Sequence, residues 1–145
     1  MQQPIVISGA GILGCYISCA LSLQGIDSIV LEKKDDEVED SVRTITLNPF
    51  SKNLLDKIGI ENDYSMINKM EVKDFDGTGK IVFKSSEIGM DHLAYVSDFA
   101  ALLMAVRKKA SEKILYKEEI IDIDNKGDLN DCLLYTSPSP RDPHL

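Results

Sequence analysis

Three glycines at a fixed spacing constrain the fold of this chain more than any other feature. Gly9, Gly11 and Gly14 follow a short β-branched run at residues 4–8 and precede apolar residues at helical spacing. Such glycines permit a tight turn, let a pyrophosphate approach the backbone, and let the helix pack closely on the strand. The start of the helix offers free N–H groups and a positive dipole end to phosphates. The spacing therefore predicts a strand, a turn and a helix that bind the phosphates of a dinucleotide.

A second β-branched run at residues 27–32 follows Gly25, which is expected to end the helix. A right-handed crossover would place this strand parallel to the first and complete a βαβ unit. Glu32 ends the run, where a carboxylate accepts hydrogen bonds from the adenosine ribose and repels a 2′-phosphate. This favours FAD or NAD over NADP, and the motif alone does not choose between the two. The alternative is a βαβ unit whose glycines only serve packing.

The middle of the chain predicts a mixture of helices and hairpin strands. Asn48 and Pro49 are expected to open a helix that stops near Gly59, and two alternating runs, 70–75 and 80–84, predict a β-hairpin. Ser97 or Asp98 is expected to cap a second helix that reaches about residue 113. The last turns of this helix carry cationic side chains, Arg107 among them, which are expected to interact favourably with the negative end of the helix dipole. Short strands are predicted at 93–96, 114–116 and 120–123.

Charge and hydropathy exclude two classes of partner. The formal net charge of −8 would repel polyanions, so no nucleic-acid partner is expected. No apolar run approaches the roughly 20 residues that span a bilayer, so no transmembrane segment is expected. The first residues show no secretory signal, which favours a cytoplasmic location, with peripheral association with a membrane left open.

The sequence offers few residues that could bind a metal ion or act as a catalytic nucleophile. Cys15 and Cys19 lie four apart on the predicted first helix and are expected to be reduced core residues. With two histidines and no Cys-x-x-Cys pair, no metal site is predicted. No nucleophile elbow occurs either, so the sequence assigns no catalytic residue.

The order of several segments resembles a known family across nearly all of residues 3–126. These segments are GAGILG at 9–14, LEK at 31–33, RTITLNP at 43–49 with the helix after it, MEVKDFDGTGKIVF at 70–83, and LAYVSD at 93–98. Together they resemble the ubiquinone-biosynthesis branch of the p-hydroxybenzoate-hydroxylase-like FAD-dependent monooxygenases. The resemblance implies FAD as cofactor, NAD(P)H as electron donor, and transfer of one oxygen atom of O₂ to a phenolic ring.

The resemblance also implies a set of cofactor-binding residues. Arg43 matches an arginine that contacts the flavin in this family, and Ile120 falls where the backbone of an aliphatic residue meets the adenine. Without the resemblance, Arg43 would be read as a surface arginine paired with the acids at 35–40. The full predicted cofactor-binding set is Gly9, Gly11, Gly14, Glu32, Lys33, Arg43 and Ile120.

The predicted fold is α/β, a Rossmann-like FAD-binding βαβ unit with an inserted β-hairpin region, incomplete at the C-terminus. Residues 1–130 are expected to form the N-terminal part of the FAD-binding domain, with a substrate region starting at about 70–95. Residues 131–145 lack periodicity, resemble a translated vector read-through, and are expected to be disordered.

The predicted function is the N-terminal portion of an FAD-dependent monooxygenase that hydroxylates a polyprenyl phenol of ubiquinone biosynthesis, the chain alone being inactive. Its expected partner is a small aromatic substrate, with other ubiquinone-biosynthesis proteins left open. The alternatives are another FAD- or NAD-dependent oxidoreductase, or a truncated nucleotide-binding module without catalysis.

Overall fold

A computed structural model describes residues 3–39 and 42–122. These residues form two compact units, one from residues 3–37 and 106–122 and one from residues 38–39 and 42–105. The tail at 131–145, which includes the third cysteine of the chain, Cys132, and the last residue of the strand predicted at 120–123 lie outside the described residues. The mixed α/β class with a parallel sheet, predicted from the sequence, is confirmed.

The described residues contain strands and helices in the following order. They are β1 (Ile5–Ser8), α1 (Ile12–Leu23), β2 (Ser28–Glu32), β3 (Thr44–Leu47), α2 (Pro49–Lys57), β4 (Ser65–Ile67), β5 (Lys69–Lys73), β6 (Lys80–Lys84), β7 (Ala94–Asp98), α3 (Phe99–Lys109) and β8 (Ile114–Tyr116). Short 3₁₀ turns at Ser85–Ile88 and Ser111–Lys113 complete the set. None of the helices in this part of the chain is long and apolar enough to cross a membrane.

The first unit is built on a parallel sheet in the order β1-β2-β8. The predicted βαβ unit is confirmed, because β1 and β2 are parallel neighbours joined by α1. Ile7 of β1 and Val30 of β2 are buried, as expected for strands of a covered parallel sheet. Helix α1 packs on β2, where the buried hydroxyls of Ser18 and Ser28 share a hydrogen bond of 2.9 Å.

The second unit contains an antiparallel sheet that the sequence did not predict. Strand β7 lies between β3 and β4 and is antiparallel to both. Helix α2 starts as predicted, because the Asn48 side chain accepts a hydrogen bond of 2.7 Å from the Ser51 N–H and Pro49 follows the cap. The predicted substrate region at 70–95 lies within this unit.

The predicted β-hairpin is confirmed as β5 and β6. The first strand ends at Lys73, two residues before the predicted boundary, because Asp74 already bonds across the turn to Gly79 at 3.0 Å. Met70 pairs with Phe83 and Val72 with Ile81, which places these four apolar side chains on one face of the hairpin.

Two predictions near the end of the described chain were wrong, one for the end of α3 and one, over residues 120–122, for a strand after β8. Helix α3 ends at Lys109 and not near residue 113, because the chain tightens there into a 3₁₀ turn in which Lys113 bonds back to Ala110. The strand predicted at 120–123 is absent over residues 120–122. Lys117 has a φ of 60°, which turns the chain away from the direction of β8. The side chain of Ile121 is 94% exposed, so this apolar residue does not pack against a sheet.

Candidate functional site

The glycine loop joins β1 to α1 in the first unit. Gly9 has a φ of 96°, a conformation that glycine adopts without strain, and its N–H bonds the carbonyl of Leu31 at 2.7 Å. Gly11 occupies the N-cap position of α1 and brings no side chain to it. The first N–H groups of a helix have no acceptor within the helix. The loop therefore presents backbone donors and the positive end of the α1 dipole to one place.

The other two glycines of the loop differ in the space around them. A Cβ atom on Gly14 would lie 2.1 Å from the carbonyl oxygen of Gly9 and 3.4 Å from the side chain of Ile7. A Cβ on Gly11 would meet no atom within 4 Å. Gly14 therefore permits close packing of α1 on β1, whereas Gly11 leaves open space at the start of the helix. That open space suits an approaching phosphate, so the loop fits a dinucleotide.

Glu32 ends β2, and its carboxylate lies beside the glycine loop. Its Oε2 accepts a hydrogen bond of 2.9 Å from the Ala10 N–H, and its Oε1 accepts one of 3.0 Å from the Lys34 N–H. The side chain is 12% exposed. Because each carboxylate oxygen can accept two hydrogen bonds, both oxygens retain capacity for a further donor. A pair of vicinal ribose hydroxyls supplies such donors.

Arg107, near the end of α3, joins this cluster although sequence reasoning assigned it only to the helix dipole. Its Nε donates a hydrogen bond of 2.8 Å to the Ala10 carbonyl, and its Nη2 lies 3.7 Å from Oε2 of Glu32. The guanidinium also lies over the ring of Tyr116, with 5.8 Å from Cζ to the ring centroid. The contact spans 97 residues of sequence, and no local pattern points to it.

The remaining predicted residues are placed as follows. Lys33 is exposed on the segment after β2, and Ile120 is half-buried beyond β8. Arg43 belongs to the second unit, where its guanidinium stacks 4.1 Å from the centroid of the Phe99 ring. The structure thus brings the three glycines and Glu32 together, and the binding roles of Lys33, Arg43 and Ile120 stay predictions.

Two cysteines of α1 are free thiols, as predicted. Burial raises the pKa of the Cys15 thiol to about 12, although the nearby Arg107 cation acts in the opposite direction. Burial also raises the pKa of Cys19. A thiol needs a lowered pKa to act as a nucleophile at neutral pH, so these residues serve packing.

A surface cavity with a volume of about 620 Å³ lies within the second unit. Lys52 and Asp56 of α2, the segment 60–64, and Ala101 and Ala105 of α3 line it. Lys52 and Asp56 pair with each other at 2.7 Å. None of the predicted cofactor-binding residues lines this cavity.

Comparison with solved structures finds several proteins whose fold is similar to that of this chain. The p-nitrophenol 4-monooxygenase of Pseudomonas putida DLL-E4 superposes with a TM-score of 0.70 at 17% identity over 87% of this chain. HpxO of Klebsiella pneumoniae, solved with FAD and uric acid, gives a TM-score of 0.61 at 20% identity over 84% of this chain. A third is 2-methyl-3-hydroxypyridine-5-carboxylic acid oxygenase, with a TM-score of 0.66 at 18% identity over 85% of this chain.

At these identities the similarity concerns the fold. This chain spans about a third of each of those proteins: 34% of the p-nitrophenol 4-monooxygenase, 34% of HpxO and 33% of the pyridine carboxylic acid oxygenase. The family described as FAD binding domain matches residues 2–120, which include the glycine loop, Glu32 and Arg107. The chain therefore belongs to the FAD-binding domain family.

Proposed function

We propose that this chain is the FAD-binding N-terminal portion of a flavin-dependent monooxygenase that hydroxylates an aromatic ring. The observation that carries the proposal is the carboxylate of Glu32, which the Ala10 N–H holds beside the open start of α1. The fold neighbours support the substrate class, since their names refer to p-nitrophenol and to a complex with uric acid, both small ring compounds.

The residues of the first unit would hold the adenosine diphosphate part of FAD. The backbone at Gly11 and the start of α1 would bind the pyrophosphate, and Glu32 would accept hydrogen bonds from the ribose hydroxyls. Lys33, Arg43 and Ile120 complete the proposed set, with Arg43 at the flavin and the Ile120 backbone at the adenine. When bound, FAD supplies the redox chemistry that passes one atom of O₂ to the substrate, with NAD(P)H as the proposed electron donor.

The finer proposal is a polyprenyl phenol of ubiquinone biosynthesis as substrate. It is supported by the order of segments around Glu32, Arg43 and the run at 93–98, which resembles that branch of the family. A polyprenylated substrate partitions into membranes, so we propose a cytoplasmic protein that associates peripherally with a membrane. Other ubiquinone-biosynthesis proteins are the partners that this location would favour.

The binding site is tested with Gly11→Ala, because a methyl group there would occupy space without touching the protein. We expect affinity for FAD and for ADP to fall about tenfold, equivalent to about 1.4 kcal/mol, with unchanged thermal unfolding. Titration calorimetry of the chain measures both ligands. Gly79→Ala is the matched control, because its added Cβ makes only ordinary contact, 3.6 Å from Asp74. Equal affinity of Gly11→Ala and Gly79→Ala would refute the placement of the pyrophosphate.

The rival functions separate in the complete protein, expressed with its full reading frame. A flavin monooxygenase would purify yellow and consume O₂ and NAD(P)H when a prenylated phenol is added. An NAD-dependent dehydrogenase would carry no flavin and consume no O₂, whereas a binding module would retain nucleotide and turn over neither substrate.

A further inference from the structure

We infer that Arg107 is a positioning residue, which fixes the carboxylate of Glu32 for the ribose hydroxyls without contacting the nucleotide itself. This inference rests on the proposed nucleotide-binding function. Arg107 lies on α3, far in sequence from the glycine loop and from β2, and it touches both. Its effect on the ligand would therefore pass through Ala10 and Glu32.

The first argument is the way in which Ala10 is held on both sides. Its N–H donates to Oε2 of Glu32 at 2.9 Å, and its carbonyl accepts from Nε of Arg107 at 2.8 Å. The Nη2 of the same guanidinium lies 3.7 Å from that Oε2 and closes the ring of contacts. Arginine can make such contacts together because its donors have a fixed planar geometry. Removing the guanidinium would free the Ala10 carbonyl and one side of the carboxylate at once.

The second argument is that Arg107 is poorly explained as a stabilising residue. Its side chain is 13% exposed, and its Nη1 is buried without a hydrogen-bond partner among the described residues. A buried donor left unpaired is unfavourable, and apolar residues often replace buried ion pairs without loss of stability. An apolar side chain of similar length could also pack against the Tyr116 ring, but it would lack the contacts with Ala10 and Glu32.

The third argument concerns which lone pairs of Glu32 remain for a ligand. Both carboxylate oxygens already accept a backbone N–H, from Ala10 and from Lys34. These bonds and the guanidinium fix the plane of the carboxylate, so its remaining lone pairs have one direction. Groups fixed in advance select a ligand better than groups that must be ordered on binding. The ligand feature that should depend on Arg107 is thus the ribose hydroxyl pair and not the phosphates.

The test compares ADP with 2′-deoxy-ADP on the chain and three variants, with circular dichroism as the check on folding. We expect the unsubstituted chain to prefer ADP about tenfold, since hydrogen bonds to charged groups are strong. Arg107→Met should reduce that preference to about one, through weaker binding of ADP and little change for the deoxy analogue. Lys108→Met, which removes the same charge from the next, exposed position of α3, should keep the tenfold preference.

Arg107→Lys separates a held geometry from charge alone. A single ammonium cannot reach the Ala10 carbonyl and Glu32 with the geometry of the guanidinium, so we expect a preference between those of the unsubstituted chain and Arg107→Met. A preference equal to that of the unsubstituted chain would show that charge suffices and would overturn the inference. This variant also decides the question if Arg107→Met does not fold.

A measurement without nucleotide tests the same contact. The Ala10 amide proton should exchange at least about tenfold faster in Arg107→Met than in the unsubstituted chain, while that of Val30 in β2 should change little. An unchanged ADP preference together with unchanged Ala10 exchange would overturn the positioning role alone. A chain that binds neither ADP nor FAD would instead overturn the proposed function, so the two failures are distinguishable.

Discussion

The two units differ in where they put their apolar strand residues. In the parallel sheet of the first unit, Ile7 is 2% exposed, whereas Ile81 of the β5–β6 hairpin in the second unit is 58% exposed. The hairpin is held by its ladder and by cross-strand pairs such as Val72 with Ile81. A two-stranded hairpin has little stability by itself. Burial of apolar side chains therefore stabilises the first unit, whereas the hairpin contributes little such burial to the second unit.

The same contrast applies to polar groups. In the first unit the carboxylate of Glu32 is fixed by backbone N–H groups of Ala10 and Lys34. In the second unit Glu71 is surrounded by the exposed lysines Lys69, Lys73 and Lys80 at 3.1 to 3.6 Å. Backbone partners move only with the fold, whereas long surface side chains exchange partners freely. A precise ligand site is therefore expected in the first unit.

The largest expected effect separates two isoleucines by burial. Ile7→Ala should lower the free energy of unfolding by about 2–5 kcal/mol, since it removes buried methyl groups from the parallel sheet. Ile81→Ala should change it by less than about 0.5 kcal/mol, because its side chain is mostly exposed. Urea unfolding followed by circular dichroism measures both. Similar losses for the two variants would mean that the hairpin apolar face stabilises the fold.

The next largest expected effect on stability compares two glycines at which the Cβ of an alanine would lie too close to another atom. Gly14→Ala places a Cβ against the backbone oxygen of Gly9, so α1 must move away from β1, at a cost of about 1–3 kcal/mol. Gly77→Ala places its Cβ 2.5 Å from Oδ2 of Asp74, a side chain that can rotate away. We expect the melting temperature to fall for Gly14→Ala and to stay within error for Gly77→Ala. A fall for both would show that the hairpin turn is as rigid as the glycine loop.

The elements that the sequence predicted are those specified by neighbouring residues. The loop from Gly9 to Gly14, the Asn48 cap, and the turn at 76–79 each lie within a few positions of the structure they determine. The Asn48 cap and the hairpin turn make their hydrogen bonds locally, as in the bond of 2.7 Å from the Ser51 N–H to Asn48, whereas the glycine loop is recognised by its spacing although Gly9 bonds to Leu31. Local chemistry therefore sufficed for β1, α1, β2, α2 and the hairpin.

The elements that were missed depend on residues far apart in sequence. Strand β4 has three residues and is a strand only because it pairs with β7, Met66 lying opposite Tyr95. Arg107 carries the sequence pattern of any cation at the end of a helix, and only the packing of α3 brings it to Ala10. The strand predicted at 120–123 is absent over the described residues 120–122 for the same reason, since alternating apolar residues form a strand only where a sheet edge pairs with them.

The smallest expected effect concerns two exposed carboxylates that pair with lysines, Asp27 in the first unit and Glu71 in the second. Lys113 holds the pKa of Asp27 below its ordinary value through a hydrogen bond of 2.6 Å, and Lys73, Lys80 and Lys69 lower the pKa of Glu71. A lowered carboxyl pKa contributes stability above the ordinary value, about 3.9 for aspartate, and this is lost as pH falls through the lowered pKa.

In an NMR titration of the side-chain carboxyls, Lys113→Met should raise the pKa of Asp27 most of the way to its ordinary value, because only the hydrogen bond from the Ser28 N–H still lowers it, and should leave the pKa of Glu71 unchanged. Lys80→Met should return Glu71 only in part, because Lys73 still hydrogen-bonds that carboxylate. Both shifts should shrink in high salt, since the groups are exposed. A complete return of Glu71 in Lys80→Met would mean that a single lysine lowers the pKa of Glu71, as Lys113 does for Asp27, and would remove this part of the contrast.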